Sequence, residues 1–374
     1  MKNKLIALLC ALALVFSLAG CTLSTPDTVG KIGDYEIPSG LYLLAQYDAY
    51  QKAADLASSE QDASDVKGFL KATITPEGED AITVRDYVAR ETLKNLETYA
   101  AVETRFAQLG GELTEEETQQ ADSYAAQLMD QYGDTYKANG IGLETVKLFE
   151  RILLKSNDLL SLVYGENGET PVSDADLTSH LENNMYELAY YTIPLYNTGT
   201  FAFADDDQTT EMLNLAQSAI DDVNSYAATL ADLSDSTNSS MLMGAFSGVV
   251  TSALPDIYKV LDSTYSSDSD APSLELIGDS TVTSAFTAEG AADTVRSLSI
   301  GQAAALKYNG YAMMAVLRLD PLSLNSLDNL RGQVLRDLQS TQLKEDLAAY
   351  GASMEHNLSD SAMKKLPMTK IVNK

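Results

Sequence analysis

The spacing of the hydrophobic residues changes twice along this chain, and that limits the folds open to it. From residue 39 to 184, apolar side chains recur at the three- and four-residue spacing of helices. At Tyr186 the spacing switches to the alternation of a half-buried strand, and past Pro321 it returns to helical spacing for one long final segment. This order predicts an α+β chain whose small sheet is inserted between helical parts.

Local signals mark the segment ends. Val29-Gly-Lys-Ile-Gly-Asp-Tyr-Glu-Ile37 reads as two short strands about a Gly-Asp turn. Pro38 and Ser39 open a helix to residue 58, and the polar stretch 59–82 is a loop insertion with room for a short helix. A second helix, 82–109, is stopped by Gly110-Gly111. Thr114 and Glu117 have capping-box spacing and start a helix to 138, broken by Asn139-Gly140. Helices 143–164 and 173–184 follow. The block after Tyr186 reads as strand 187–195, helix 209–233 behind Asp205-Asp206-Asp207, strand 274–282 and helix 291–298. A hairpin, 304–308 with 311–319, turns at Asn309-Gly310. Residues 234–274 are rich in Ser, Asp and Gly, with one helix expected at 253–261. The last helix is expected at 326–356.

Composition removes several functions. With 54 acidic against 25 basic residues the formal charge is −29, which leaves nothing to neutralise a run of phosphates, so no nucleic-acid partner is expected. A hydrophobic share of 45% is too high for an acidic disordered chain. Two His and two Cys are too few for a zinc site or a thiol enzyme built on several such side chains. There is no Gly-rich phosphate loop, and Asp268-Ser-Asp270 lacks the Gly and distal Glu of a calcium loop, so neither cofactor nor metal is expected. His180 and His356 read as exposed and non-catalytic.

The N-terminus sets the expected compartment. Lys2 and Lys4 precede an apolar run over residues 5–20, shorter than the roughly 20 residues of a membrane-spanning helix. It ends in Leu18-Ala19-Gly20-Cys21, which matches the bacterial lipobox. That resemblance implies cleavage after residue 20, lipidation of Cys21 and a short tether over 21–27. Cleavage would remove Cys10 and two lysines, leaving no free thiol and a body two charges more acidic, repelled by an anionic lipid surface.

The order of segments and several phrases resemble the PrsA/SurA-type foldases, exported lipoprotein chaperones that carry parvulin-like (PpiC-type rotamase) domains. The phrases are Val29–Ile37, the run from Arg85 through Thr114-Glu-Glu-Glu117 to Tyr136-Lys-Ala-Asn-Gly-Ile-Gly142, and Val172-Ser-Asp-Ala-Asp-Leu177 followed by His180-Leu-Glu-Asn-Asn184. Leu298-Ser-Ile-Gly-Gln-Ala303 and Asn309-Gly-Tyr-Ala-Met-Met314 complete the set. The resemblance implies a signal at 1–20, a tether at 21–27, a SurA-like helical chaperone lobe at 28–185 and a parvulin-like domain at 186–321. The segment 322–374 would be a helix packing back on the lobe.

Parvulins place one His on each of two strands, facing across a small proline pocket. Here the matching positions are Tyr191 and Ala312, and the only aromatic near the expected pocket Phe is Phe286. The resemblance therefore implies a degenerate domain in a membrane-anchored, extracytoplasmic chaperone that binds unfolded or newly exported polypeptides. Tyr42, Tyr47, Tyr50, Tyr191, Phe286 and Met313 are its candidate polypeptide contacts. For the tyrosines a second reading stays open, in which they fill a core that has no Trp. Two alternatives also stay open: an active prolyl isomerase in which Tyr191 donates a hydrogen bond, and a solute-binding lipoprotein of two α/β lobes.

Overall fold

The computed structural model describes residues 26–58, 61–265 and 271–373. The signal at 1–20, Cys21, most of the tether and Asp268–Asp270 lie outside the described residues. The chain divides into two compact units. The first runs up to Val163 and adds Asn167–Glu169 and the stretch from Ser340 onward; the second is Tyr164–Glu166 with Thr170–Gln339.

This division differs from the expected boundaries at two seams. Helix Asp174–Asn184, and the part of helix Leu327–Ser353 up to Gln339, group with the sheet rather than with the helical lobe. Polar ties explain it. The Arg331 guanidinium pairs with Asp174, His180 Nε2 lies 2.7 Å from Asp337 Oδ2, and the Gln333 side chain donates to the Leu276 carbonyl at 2.6 Å. His180 is thus a largely buried, partnered side chain, not the exposed one expected. In the first unit His356 is likewise paired, with Glu97 at 3.4 Å.

In the first unit, Thr28–Ile32 and Tyr35–Pro38 form the expected hairpin, turning at Gly33 in the left-handed region (φ 57°). A third strand, His356–Leu358, pairs with the other edge of Thr28–Ile32; the helix expected to reach 356 ends at Ser353 instead. Its approach requires Gly30: a Cβ there would sit 2.3 Å from the Asn357 carbonyl oxygen, and its φ of 119° is a conformation side chains avoid.

Helices Ser39–Asp55 and Val84–Gln108 bury Ala49, Tyr50, Ala53, Val84 and Val88 against each other, closed over by Phe69 and Leu70 at the short helix Val66–Phe69 inside the loop insertion. Helix Glu115–Ala138 starts at the expected capping box: Thr114 Oγ1 accepts the Glu117 N–H, and Glu117 Oε2 accepts the Thr114 N–H. The Thr114 N–H and hydroxyl, both donating to Glu117 Oε2, hold that carboxyl below its usual range. Helix Leu143–Tyr164 is tied by Arg151 to Asp122 and by Lys155 to Glu103, each at 2.7 Å. The tail closes on Asn139, whose side-chain amide exchanges two hydrogen bonds with the Val372 backbone.

The second unit is built on an antiparallel sheet in the order Ser273–Gly278, Met185–Pro194, Ala312–Leu319, Ala303–Lys307. One face carries helices Asp206–Ala227 and Ser236–Lys259; the other carries Asp279–Ala285 and Ala291–Ser297. The Asp205 side chain caps the first of these helices, as its acidic start suggests. Two segments depart from expectation. The strand expected over 274–282 turns at Gly278 into a helix, whose Asp279 is gripped by both ends of the Arg296 guanidinium. The region expected to be mostly irregular at 234–274 is dominated by the 24-residue helix Ser236–Lys259. That helix is long and apolar enough to cross a membrane, but it buries Leu242, Phe246, Val250 and Leu254 at four-residue spacing in the core on its face of the sheet.

Candidate functional site

Tyr191 and Ala312 do not face each other. Along the strand Met185–Pro194, Ala189, Tyr191 and Ile193 enter the core beneath helix Ser236–Lys259, while Tyr186 and Leu188 enter the opposite one. Antiparallel partners share a face, and the register pairs Tyr191 with Ala315 and Pro194 with Ala312. Ala315 and Ala312 are three positions apart along the strand, an odd number, so Ala312 points to the other side of the sheet from Tyr191. Tyr191 is 8% exposed, its hydroxyl lies 2.8 Å from Ser247 Oγ, and its ring lies 5.9 Å from that of Phe246. The covering helix occupies the space in front of it.

Four of the six candidate polypeptide contacts are core side chains. Met313 is fully buried beside Tyr191, and Phe286 is buried on the opposite face, edge-on to Tyr308 at 5.1 Å. In the first unit Tyr50 is fully buried, donates to the Ala63 carbonyl at 2.7 Å and meets Phe69 edge-on; burial first, then Asp65 and Asp62, push its phenol up to about 12. For Tyr50 and Tyr191 the core-filling reading applies. Tyr47 is half-buried against Tyr136. Tyr42 alone of the six lines an open cleft.

That cleft has a volume of about 250 Å³ and lies wholly in the first unit. Tyr42 and Gln46, one helical turn apart, form one wall; Ala89, Thr92, Leu93 and Leu96 form a stripe on a second helix; Leu358, Met363 and Met368 close it from the C-terminal segment. Buried Gln46 spends its amide on the Tyr42 hydroxyl and the Leu366 carbonyl, and Thr92 turns its hydroxyl back to the Val88 carbonyl. The Gln46 and Thr92 donors are thus spent within the protein, and the surface offered to a ligand is mostly apolar. Burial pushes the Tyr42 phenol up, outweighing the Gln46 hydrogen bond, so it stays neutral.

No family model matches the chain, and no curated protein matches it. Among solved structures it is similar to the crystal structure of foldase protein PrsA from Streptococcus pneumoniae str. Canada MDR_19A, at 15% identity and a TM-score of 0.37, over 79% of this chain and 92% of that chain. At that level no residue role transfers.

The cleft has no reactive group in place. No three His, Cys, Asp or Glu side chains converge as a metal site among the described residues. Its volume is below the ~300–1,000 Å³ of sites for whole small molecules and suits one or two apolar side chains of a larger ligand. Methionine walls adapt to different shapes because their side chains are unbranched and soft. Sequence reading missed Leu93, Met363 and Met368. The stripe at 89, 93 and 96 was a readable signal, but nothing in the sequence showed that the C-terminal segment folds over it.

Proposed function

We propose that this chain is a membrane-anchored, extracytoplasmic chaperone that holds apolar segments of unfolded polypeptides without prolyl isomerisation, cofactor or nucleotide. The observation that carries this reading is the cleft at Tyr42, Leu93, Met363 and Met368: apolar, adaptable, side-chain-sized and without catalytic groups. The lipobox-like Cys21 supports the anchor. The resemblance of the segment order to exported foldases supports the compartment and the polypeptide partner.

The full chain in several-fold excess should suppress light scattering by an aggregating, chemically unfolded model protein. Leu93→Asp should weaken that suppression several-fold while leaving the melting temperature nearly unchanged, because Leu93 is only half-buried. Absence of suppression by the unaltered chain would defeat the proposal.

The positions of Tyr191 and Ala312 argue against isomerisation. Catalysis requires groups that favour the twisted amide over both planar forms, and Tyr191 is spent in the core. A protease-coupled assay on a proline peptide should give the uncatalysed rate. Tyr191→Phe should cost about 1 kcal/mol of stability through its hydroxyl contact and leave that rate unaltered. A rate above background that falls in Tyr191→Phe would restore the isomerase reading.

A further inference from the structure

The second unit carries an exposed aromatic ridge that the cleft does not explain. Tyr196 and Phe203 bridge the base of a tight turn, and Phe201 stacks on Tyr196 at 6.1 Å. Phe203 meets Tyr196 and Tyr311, each at 5.8 Å. Such clustering normally hides rings, yet Phe201, Phe203 and Tyr311 are 71%, 59% and 64% exposed. The frame beneath them is firmly bonded. The Asn197 side chain accepts from the Gly199 and Thr200 N–H groups at 2.9 Å and donates to the Leu261 carbonyl at 2.7 Å. Phe201 adopts φ 58°, where a glycine or asparagine would sit with less strain. A bulky apolar ring is therefore held in water, in an unfavourable conformation, on a rigid support. Strain kept at an exposed apolar patch points to binding.

Charge selects the occupant. Asp205, Asp206 and Asp207 follow the turn directly, and Asp262 lies on the loop that Asn197 holds; all four are exposed. Lys259 and Lys307 are exposed cations on adjoining elements, and Arg318, on the strand that follows Tyr311, is committed to the Leu298 carbonyl and the Tyr186 ring. The whole chain carries −29, so a second copy or an anionic lipid surface would be repelled. Aromatic faces attract Arg and Lys side chains, and the surrounding carboxylates add to that attraction.

We propose that the ridge of Tyr196, Phe201, Phe203 and Tyr311 docks extended polypeptide segments that carry Arg or Lys beside apolar residues. This names a ligand class for the polypeptide binding proposed above and rests on that reading, but it uses a different surface.

Two fluorescent unstructured peptides with the same apolar residues, one bearing Arg and the other Glu, would be titrated into the full chain and followed by anisotropy. The Arg peptide should bind about tenfold or more tightly than the Glu peptide and weaken as salt is added. The double variant Phe201→Asn/Phe203→Ser should lose about tenfold in affinity for the Arg peptide at an unchanged melting temperature. Tyr311→Ser serves as a second, independent variant with an effect in the same direction. Leu93→Asp should leave the preference for Arg intact.

Equal affinity for the two peptides, or binding indifferent to both ridge variants, would overturn the inference. So would self-association of the chain that the ridge variants abolish, since the occupant would then be a second copy. If aggregation suppression persists in any of those cases, the chaperone reading stands and only the ridge assignment fails.

Discussion

Phe246→Ala should destabilise the second unit by about 3–5 kcal/mol, the cost of emptying a buried aromatic site that cannot collapse. Phe246 is fully buried midway along helix Ser236–Lys259, in the core that also holds Tyr191, Met313 and Leu317. Apart from its Asp235 cap, the helix has little else to recommend it. Ser239, Ser240, Gly244, Ser247, Gly248, Thr251 and Ser252 are weak helix formers, and Pro255 removes a backbone donor within it. Beyond its capped first turn, its order comes mainly from the packed stripe, so loss of the largest member should release the segment as well as open a void. Urea denaturation with hydrogen exchange along the helix would measure both. A change below about 1 kcal/mol would mean that the stripe does not hold the helix in place.

Stability of the same unit should fall as pH rises from about 4.5 to 7, because of Glu187. This carboxyl is 3% exposed, lies between Leu276 and Leu319 on the neighbouring strands, and has no hydrogen-bond partner for Oε2. Burial pushes it up to about 7 from an ordinary value of 4.5. The folded state therefore keeps a proton that the unfolded chain has already lost across this window. Folding binds the proton, so stability is complete below pH 4.5 and declines through pH 7, by about 3 kcal/mol in all. Glu187→Gln cannot titrate. The difference in stability between the unaltered chain and this variant should shift by that amount between pH 4.5 and pH 8, with exchange of the Leu188–Thr192 amides as the local readout. A difference that stays constant across the range would show that Glu187 is ionised in the folded protein, with a partner.

Elements whose ends carry chemistry were readable from sequence. The Thr114–Glu117 box, the helix Leu143–Tyr164 and the strands flanking Asn309-Gly310 were placed to within a residue or so. Helix Ser236–Lys259 was not, although Leu242, Phe246, Val250 and Leu254 stand four apart, because composition concealed a pattern that tertiary burial enforces. The three-residue strand His356–Leu358 is too short to show any period. The site was harder still. Alternation fixes which residues of one strand share a face, but pairing Tyr191 with Ala312 needed the register between two strands, and a shift of one residue inverts the answer. The cleft draws on three segments whose meeting no local signal announces. Phe201 and Phe203 were visible only as two aromatics near a Gly, and nothing local said that they stay in water.

The pairing of Gly30 with Leu358 joins positions more than three hundred residues apart. A chain delivered to its compartment N-terminus first would present Thr28–Ile32 early and leave one edge of that strand open until His356–Leu358 arrives. Every residue of the sheet-bearing unit is delivered within that interval, so the inserted part can complete itself while its host waits. The long loop makes closure slow, and the waiting edge is a surface to which other strands can add. On the function proposed above, the protein would itself pass through the unfinished stage in which it holds other chains, and the strand His356–Leu358 would end that stage.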